Sequence, residues 1–345
     1  NFQIERHARY GDSIYLLQPN IKEGQGGLRD LHTALWMAKV KYKVRCFRDL
    51  VPLGVLTEAD IADLQHAVDF LWRLRNVLHT AANTHQDHLT YELQYKIAPQ
   101  LGFGDGRPGV EAMMRRYYGF AGTVDRISET VIADCVRAPE PARGTARRIR
   151  KIGRGMQIVG RTLAVTDRSI LAEDPANVVG VFAESQRHGV ALSASTRELV
   201  RAHVDLLARH YGEASVGEAF RGILQARGHV FEALAEMHRL GVLAAVVPEF
   251  ARLQCLISHD PFHVYTVDHH SLMGLRELDR LRAGEFTAMV PHLPQVAKEV
   301  PPAELVGLGM LLHDIGKGEG HDHDTRGAEM AVTIAQRLGL NEDER

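Results

Sequence analysis

Apolar residues recur at helical spacing along most of the chain. The stretch LRDLHTALWMAKVKY, residues 28–42, predicts an amphipathic helix because its apolar positions return every three or four residues. The apolar face of that helix consists of Leu28, Leu31, Leu35 and Ala38. A longer predicted helix follows, with apolar positions at Ile61, Leu64, Val68, Leu71, Leu74 and Leu78. Residues 110–136 predict a further long helix, and residues 219–250 predict two or three short ones.

Polar residues mark where some of these helices begin. Thr57 and Asp60 resemble a capping box, in which each side chain accepts a hydrogen bond from the other residue's backbone. Ser195 and Glu198 repeat that spacing and predict a second helix start. The glycine-rich segment GFGDGRPG, residues 102–109, predicts a loop before the long helix.

Alternating apolar and polar positions, which predict strands, are rare. Residues 13–22 predict a short strand that leads into a loop. Residues 155–167, GMQIVGRTLAVTD, predict a small hairpin. The Pro-rich stretch RAPEPARG, residues 137–144, predicts a domain boundary. The predicted fold class is therefore mainly α, with a remnant of strand at the start and a hairpin within a helical linker.

Composition narrows the classes of function. The chain has 345 residues and a formal net charge of −2, so it lacks the basic excess of a general nucleic-acid coat. No apolar run approaches the roughly 18 residues of a membrane span. The cysteines at 46, 135 and 255 are too scattered for a zinc knuckle or disulfide frame, so we expect a reducing compartment, by default the cytoplasm. Because the sequence opens without Met, we expect it to be part of a longer protein.

Two clusters of His and Asp carry the candidate chemistry. HDPFHVYTVDHHS spans residues 259–271, and LLHDIGKGEGHDHDTRGAE spans residues 311–329. His270 stands at the start of one apolar helical pattern, whereas His313 and Asp314 end another. Imidazole nitrogens and carboxylate oxygens at helix ends suit a divalent cation, with Mn²⁺ or Mg²⁺ favoured and Fe or Zn²⁺ also compatible.

The remaining residues of the clusters receive different roles. Gly316 and Gly318 are expected to leave room for a substrate phosphate, and Lys317 is the candidate catalytic cation beside the metal. His323 is a candidate ligand of a second metal ion. We interpret the other histidines of this region mostly as ordinary hydrogen-bonded residues, and they are His259, His263, His269, His292 and His321.

These residues carry a resemblance to known families. The H…HD pattern followed by Gly-Lys resembles the HD superfamily of metal-dependent phosphohydrolases, which have a helical fold. The segments FHVYTVDHHS (262–271) and MHRLGVLAAVVPEFARL (237–253) are more specific. Together with PNIKEGQGGLRDLHTALW (19–36) and FLWRLRNVLHTAAN (70–83), they resemble the bifunctional uridylyltransferase/uridylyl-removing enzymes of the PII signalling protein.

The resemblance implies a site, partners and a domain order. Metal ligands are implied at His270, His313 and Asp314, and His323 is implied as a further ligand. The implied partners are PII, its uridylyl-tyrosine, and UTP or UMP, with neither membrane nor nucleic acid. The implied domains are the end of a nucleotidyltransferase (1–27), its helical companion (28–138), a linker and helical region (139–250) and an HD phosphohydrolase domain that continues beyond the sequence (251–345).

Two other functions remain open at this point. One is an HD phosphohydrolase that acts on a free nucleotide or a cyclic dinucleotide. The other is a non-catalytic helical scaffold, because the closing Asp of the HD superfamily would fall beyond residue 345. The glycine-rich loop EGQGGLRD, residues 23–30, fits either a phosphate-binding loop or a simple turn before a helix, and the sequence assigns it no role.

Overall fold

The computed structural model describes residues 2–136, 149–153, 155–257, 264–293, 296, 299–300, 302–319 and 322–345. The chain divides into two compact units, Asn1–Pro141 with Cys255–Thr266, and Ala142–Gln254 with Val267–Arg345. Helices dominate both units in these ranges, which confirms the predicted fold class. None of the helices described there is long and apolar enough to cross a membrane.

The first unit is a helical bundle. Its elements are α1 (Phe2–Tyr10), α2 (Leu28–Tyr42), the 3₁₀ helix Phe47–Leu50, α3 (Glu58–Ala82), α4 (Tyr91–Ile97) and α5 (Gly106–Val136). Helix α5 packs against α2, α3 and α4 and buries Tyr117 and Tyr118 completely or nearly so. The apolar faces predicted for α2 and α3 line the core of this unit, although Leu35 and Val68 are only partly buried.

Helix starts in the first unit follow the predictions in part. The capping box at the start of α3 is confirmed: the Asp60 backbone N–H donates to Thr57 Oγ1 at 3.1 Å, and the Thr57 N–H donates to Asp60 Oδ2 at 2.9 Å. The predicted loop 102–109 is wrong over its second half, since α5 begins at Gly106. Pro108 lies in the first turn of α5, where a missing N–H costs no helical hydrogen bond.

The predicted strand at residues 13–22 is wrong. The segment forms isolated bridges, one from Leu16 to Tyr265 and one from Asn20 to His88, instead of a continuous ladder. The two bridges use different neighbouring segments, and Pro19 between them has no N–H to donate. Turns and bends occupy most of the segment outside these bridges, so it forms no regular strand.

Hydrogen bonds occupy the backbone N–H groups of the glycine-rich loop before α2. Each backbone N–H from Glu23 to Asp30 donates to an oxygen of this unit. Gly26 has a φ of +71°, and a Cβ there would collide with the Ala121 carbonyl of α5. A phosphate-binding loop needs free N–H groups. The geometry therefore favours a tightly packed turn over a phosphate cradle.

Asp30 is the buried anion that this loop surrounds. Its side chain is fully buried and accepts hydrogen bonds from the Gly26 N–H at 2.8 Å, from His7 Nε2 at 3.0 Å and from the Arg6 guanidinium. Burial alone would raise the pKa of Asp30, but the His7 and Arg6 contacts outweigh it and hold the pKa below its usual value. Asp30 thus ties α1 and the loop to the start of α2 as an ionised group.

The second unit combines a small sheet with helices. Its strands are β1 (Ile149–Gly153), β2 (Met156–Val159), β3 (Thr162–Val165) and β4 (Ala191–Leu192). Its first helices are α6 (Ile170–Glu173), α7 (Ala176–His188), α8 (Ala194–Arg209), α9 (Ala214–Gln225), α10 (Val230–Arg239) and α11 (Val242–Val246). Its later helices are the 3₁₀ helix Pro248–Leu253, α12 (Val267–Arg282), α13 (Ala303–Leu312), the 3₁₀ helix Ile315–Glu319, α14 (His323–Arg337) and the 3₁₀ helix Glu342–Glu344.

The sheet contains the hairpin that the sequence predicts. Strands β2 and β3 form the predicted antiparallel hairpin, and Gly160 takes a left-handed φ of +63° in its two-residue turn. The order β1-β2-β3-β4 ends with β4 parallel to β3.

The capping box predicted from Ser195 is wrong, because Ser193 caps α8 by accepting from the Thr196 N–H at 3.2 Å. The Ser193 N–H donates to the Leu163 carbonyl of β3, so the strand pairing sets where α8 begins.

Replacing the buried anion should destabilise the first unit in a pH-dependent way. We expect Asp30→Asn to lower the free energy of unfolding by about 3 kcal/mol at neutral pH, since it removes the charge that compensates buried Arg6. The pKa of Asp30 is lower in the folded protein than in the unfolded chain, where it is about 3.9. Wild type is therefore more stable than Asp30→Asn at pH values above the unfolded pKa, and this difference in stability disappears as the pH falls through the folded pKa. Urea unfolding followed by tryptophan fluorescence measures this unit alone, since Trp36 and Trp72 both lie in it.

The matched control is Asp105→Asn, which removes an exposed carboxylate from the same unit. Its effect should stay within about 0.5 kcal/mol at every pH. An Asp30→Asn variant as stable as this control at neutral pH would contradict the account of the buried anion.

Candidate metal centre

The site begins with a close crossing of α12 and α13. The space that a Cβ would need at Gly274 of α12 is filled by the Met310 side chain of α13. His270 lies one helical turn before Gly274, and His313 follows directly after the end of α13. Because the contacting pairs are 274 with 310 and 270 with 313, the helices are antiparallel, and their crossing brings the two imidazoles together.

Three side chains with metal-binding atoms converge there. His270, His313 and Asp314 each place one donor atom within 4.8 Å of the others. The two imidazole rings have centroids 5.3 Å apart and are inclined at 61°, so they are not stacked. The structure thus brings together three of the four residues that were predicted to be ligands. Their role as ligands stays a prediction.

Hydrogen bonds orient the imidazole of His313. Its Nδ1 lies 2.8 Å from the Met310 carbonyl oxygen, which can only accept a hydrogen bond. That contact favours the tautomer with a proton on Nδ1 and leaves Nε2 as the lone-pair donor for a cation. Nε2 lies 3.3 Å from Asp314 Oδ2, on the side where the other ligand candidates converge.

Asp314 is ionised under ordinary conditions. Burial would raise its pKa, but hydrogen bonds from His313 and Lys317 and their charges hold the pKa well below its usual range. Lys317 Nζ donates to Asp314 Oδ2 at 2.9 Å, and its side chain remains 21% exposed. The predicted catalytic cation therefore lies in contact with a candidate ligand and still reaches solvent.

Glycines bring the start of α14 close to this site. A Cβ at Gly316 would collide with the His323 carbonyl and approach the Gly327 backbone nitrogen. The prediction that Gly316 leaves room for a substrate phosphate is therefore wrong, because the backbone of α14 occupies that space. His323 is the first residue of α14, and its Nε2 lies 3.3 Å from Asp324 Oδ1, apart from the three converging groups. Its role as a further ligand stays a prediction.

The other histidines of this region that the structure describes are His269 and His292. His292 is exposed, and His269 is half-buried on α12. His259, His263 and His321 lie outside the described residues. None of the described members joins the converging group.

The sequence did not reveal one buried pair near the site. His238 Nε2 on α10 lies 3.0 Å from Asp268 Oδ2 in the first turn of α12. Helical periodicity places each residue on a helix, but a contact between residues thirty positions apart leaves no local signal. The signal that could have been followed is an Asp two residues before a candidate ligand in the first turn of a helix.

The donor set fits a divalent cation. Two imidazole nitrogens and an ionised carboxylate oxygen are ligands that Mn²⁺, Fe and Zn²⁺ accept, whereas Mg²⁺ prefers more oxygen. Cysteine is absent from the group, which argues against a structural zinc site of the thiolate type. Three protein ligands leave coordination positions for water or substrate, as hydrolytic metal sites require.

Two family models match the chain. The model described as GlnD PII-uridylyltransferase matches residues 1–132, and the one described as the third domain of uridylyltransferase GlnD matches residues 156–246. The first match covers nearly all of α1 to α5, and the second covers strands β2 to β4 and the helices up to α11.

Curated relatives match almost the whole chain. The bifunctional uridylyltransferase/uridylyl-removing enzyme of Rhodospirillum rubrum is 37% identical over 99% of this chain and 37% of its own length. Those of Ruegeria pomeroyi and Cereibacter sphaeroides are 34% and 32% identical over 97% and 99% of this chain. The chain spans less than two-fifths of the length of these relatives.

One solved structure shows a weak likeness. A tRNA-processing enzyme in an apo form aligns with 54% of this chain and 43% of its own, at 15% identity and a TM-score of 0.37. That likeness is too low to bear on the fold or the site.

Removing any of the three converging side chains should weaken cation binding. We expect His270→Ala, His313→Ala and Asp314→Ala each to raise the Kd for Mn²⁺ by more than about tenfold, because each removes a donor atom. Isothermal titration of the chain with Mn²⁺ measures the effect. The control His292→Ala removes an exposed histidine outside the group and should leave the Kd unchanged. Equal Kd values for the control and the three variants would contradict the assignment of these residues as ligands. The variant His323→Ala, measured in the same series, tests the fourth predicted ligand.

Cation affinity should rise with pH. The hydrogen bond to Asp314 raises the pKa of His313 above its usual value, and a protonated imidazole cannot bind a metal. Below that pKa the Kd for Mn²⁺ should increase by up to about tenfold per pH unit, whereas Asp314 stays ionised throughout. Titrations between about pH 6 and about pH 8 test this. A Kd that does not change over that range would exclude His313 as a ligand.

Proposed function

The chain belongs to the GlnD PII-uridylyltransferase family, and on that premise we propose that its second unit carries the uridylyl-removing activity. The proposed reaction is metal-dependent hydrolysis of the phosphodiester that links UMP to a tyrosine of PII. The observation that carries the proposal is the convergence of His270, His313 and Asp314 beside Lys317. Relatives bearing both activities in their names match the chain over nearly all its length.

The reaction adds water across one P–O bond. The water oxygen forms a bond to phosphorus, the bond from phosphorus to the tyrosyl oxygen breaks, and that oxygen takes up a proton. UMP and unmodified tyrosine are the products. A bound divalent cation would supply Lewis acidity toward the phosphoryl oxygens and a nucleophilic water near neutral pH.

The residues of the chain contribute position and charge. Asp314 is held ionised and can neutralise part of the cation's charge while it fixes its place. His313 presents Nε2 because the Met310 carbonyl occupies Nδ1, and His270 presents its ring from the other helix. The Lys317 ammonium, which contacts Asp314, would donate to a phosphoryl oxygen as negative charge accumulates there and so lower the barrier.

The first unit is proposed to accompany the nucleotidyltransferase that uses UTP. Within it, residues 1–27 are proposed as the end of the catalytic domain and residues 28–138 as its helical companion. We propose residues 139–250 as a linker and helical region and residues 251–345 as the HD domain. We propose a reducing compartment, by default the cytoplasm, because the cysteines at 46, 135 and 255 are widely scattered along the sequence.

The double variant His313→Ala/Asp314→Ala tests the assignment. In the full-length protein it should lose release of UMP from uridylylated PII by at least about a thousandfold, since the cation site disappears. Transfer of UMP from UTP to PII should remain within about threefold of wild type, because that reaction is proposed to use other residues. Both rates are measured with radiolabelled UTP and PII, with and without Mn²⁺.

Two outcomes would contradict the proposal. Equal loss of both activities would mean that the reactions do not use separate sites. Faster hydrolysis of deoxynucleotides or cyclic dinucleotides than of uridylylated PII, assayed side by side, would assign the centre to another substrate. Lys317→Ala with intact metal binding and unchanged hydrolysis would exclude the proposed role of that lysine.

A further inference from the structure

A buried imidazole outside the converging group contacts the helix that carries His270. We propose that His238 is a positioning residue of the metal centre, which acts through Asp268 to fix the start of α12 and thereby the place of His270. The inference rests on the proposed metal-dependent function. It assigns His238 no contact with substrate or cation.

The pair is buried and well formed. His238 Nε2 lies 3.0 Å from Asp268 Oδ2, and the two side chains are 6% and 0% exposed. A buried carboxylate is costly unless hydrogen bonds or an opposite charge compensate it. The contact with His238 compensates part of that cost and favours the observed placement of α10 against the first turn of α12. His270 lies two residues further along the same turn of α12.

Among the described residues, hydrogen bonds join α10 to α12 near both ends of α10. Near the start of α10, the Phe231 N–H donates to Asp279 Oδ2 of α12 at 2.9 Å. Near the end of α10, His238 contacts Asp268. The helices are thus antiparallel, and of these two contacts His238–Asp268 lies beside His270, whereas Asp279 lies more than two turns further along α12.

His238 also touches a segment that leads to the other half of the site. Its ring packs edge-on against Phe250, with centroids 5.8 Å apart and an angle of 87°. Phe250 belongs to the 3₁₀ helix Pro248–Leu253, and a Cβ at Gly318 would lie 3.2 Å from the Cβ of Arg252 in that helix. Gly318 follows Lys317 directly.

The segment behind Phe250 is itself anchored. Glu249 accepts two hydrogen bonds from the Arg337 guanidinium of α14, at 2.8 Å and 2.7 Å. The Nε2 atom of His238 thus contacts the helix that carries His270. The ring of His238 contacts the Pro248–Leu253 helix, which Arg337 anchors and which packs against the segment that carries Lys317. The Nε2 atom of His238 reaches Asp268, whereas an aliphatic residue offers no hydrogen bond there and a shorter amide falls short.

Replacement of groups that orient metal ligands commonly costs 10- to 100-fold in metal affinity. We therefore expect His238→Asn to raise the Kd of the chain for Mn²⁺ by about tenfold or more, because its amide falls short of Asp268. His238→Gln places an amide nitrogen near the position of Nε2 and should restore the Kd to within about threefold of wild type. Both variants are uncharged, polar and close in size.

The control is Asp279→Ala, which breaks the other contact between α10 and α12. It should lower the thermal midpoint of unfolding at least as much as His238→Asn but leave the Mn²⁺ Kd within about twofold of wild type. Mn²⁺ binding is measured by titration and by the EPR signal of free Mn²⁺, so hydrolytic activity is not needed.

The outcomes separate the two proposals. Equal Mn²⁺ affinity of the Gln and Asn variants, or an equal loss of affinity in Asp279→Ala, would overturn the positioning role and leave the metal centre intact. Wild-type chain that binds no Mn²⁺ would overturn the metal centre and the inference together. Loss of binding in His238→Asn, rescue in His238→Gln and no change in Asp279→Ala support His238 as the positioning residue.

Discussion

The close crossing of α12 and α13 is the constraint on which the proposed metal centre depends. Gly274 leaves space that the Met310 side chain fills, and this contact sets how near the helices approach. One turn further along, the same approach places His270 opposite His313. Met310 also fixes the ring of His313 through its carbonyl oxygen. A larger residue at position 274 would separate the helices and pull the two imidazoles apart.

Pairing of an aspartate with an imidazole recurs in this chain, and burial decides what each pair does. Asp30 and Asp268 are fully buried, and their contacts with His7 and His238 hold helices in place. Asp314 with His313 has the same chemistry, but His313 is 38% exposed and Lys317 lies alongside. Only a pair that is accessible to solvent can release its proton and bind a cation instead. The same two kinds of side chain therefore serve packing in two places and, in the proposed site, could serve chemistry.

The sequence predicted the elements better than the contacts between them. The faces of α2 and α3, the Thr57 cap, the hairpin and the ends of α12 and α13 followed from local periodicity and turn chemistry. The first segment failed as a strand because its partners are distant in sequence, and the cap of α8 failed because β3 sets its position. At the site, His270 and His313 were found by composition and resemblance. The His238–Asp268 pair was missed because it is purely tertiary.

The most direct measurement of the central claim is anomalous diffraction from crystals of the chain soaked in MnCl₂. The account predicts one strong anomalous peak in coordination contact with His313 Nε2, an Asp314 carboxylate oxygen and a ring nitrogen of His270. A peak elsewhere, or occupancy that depends on none of these three side chains, would contradict the convergence on which the proposed hydrolase rests.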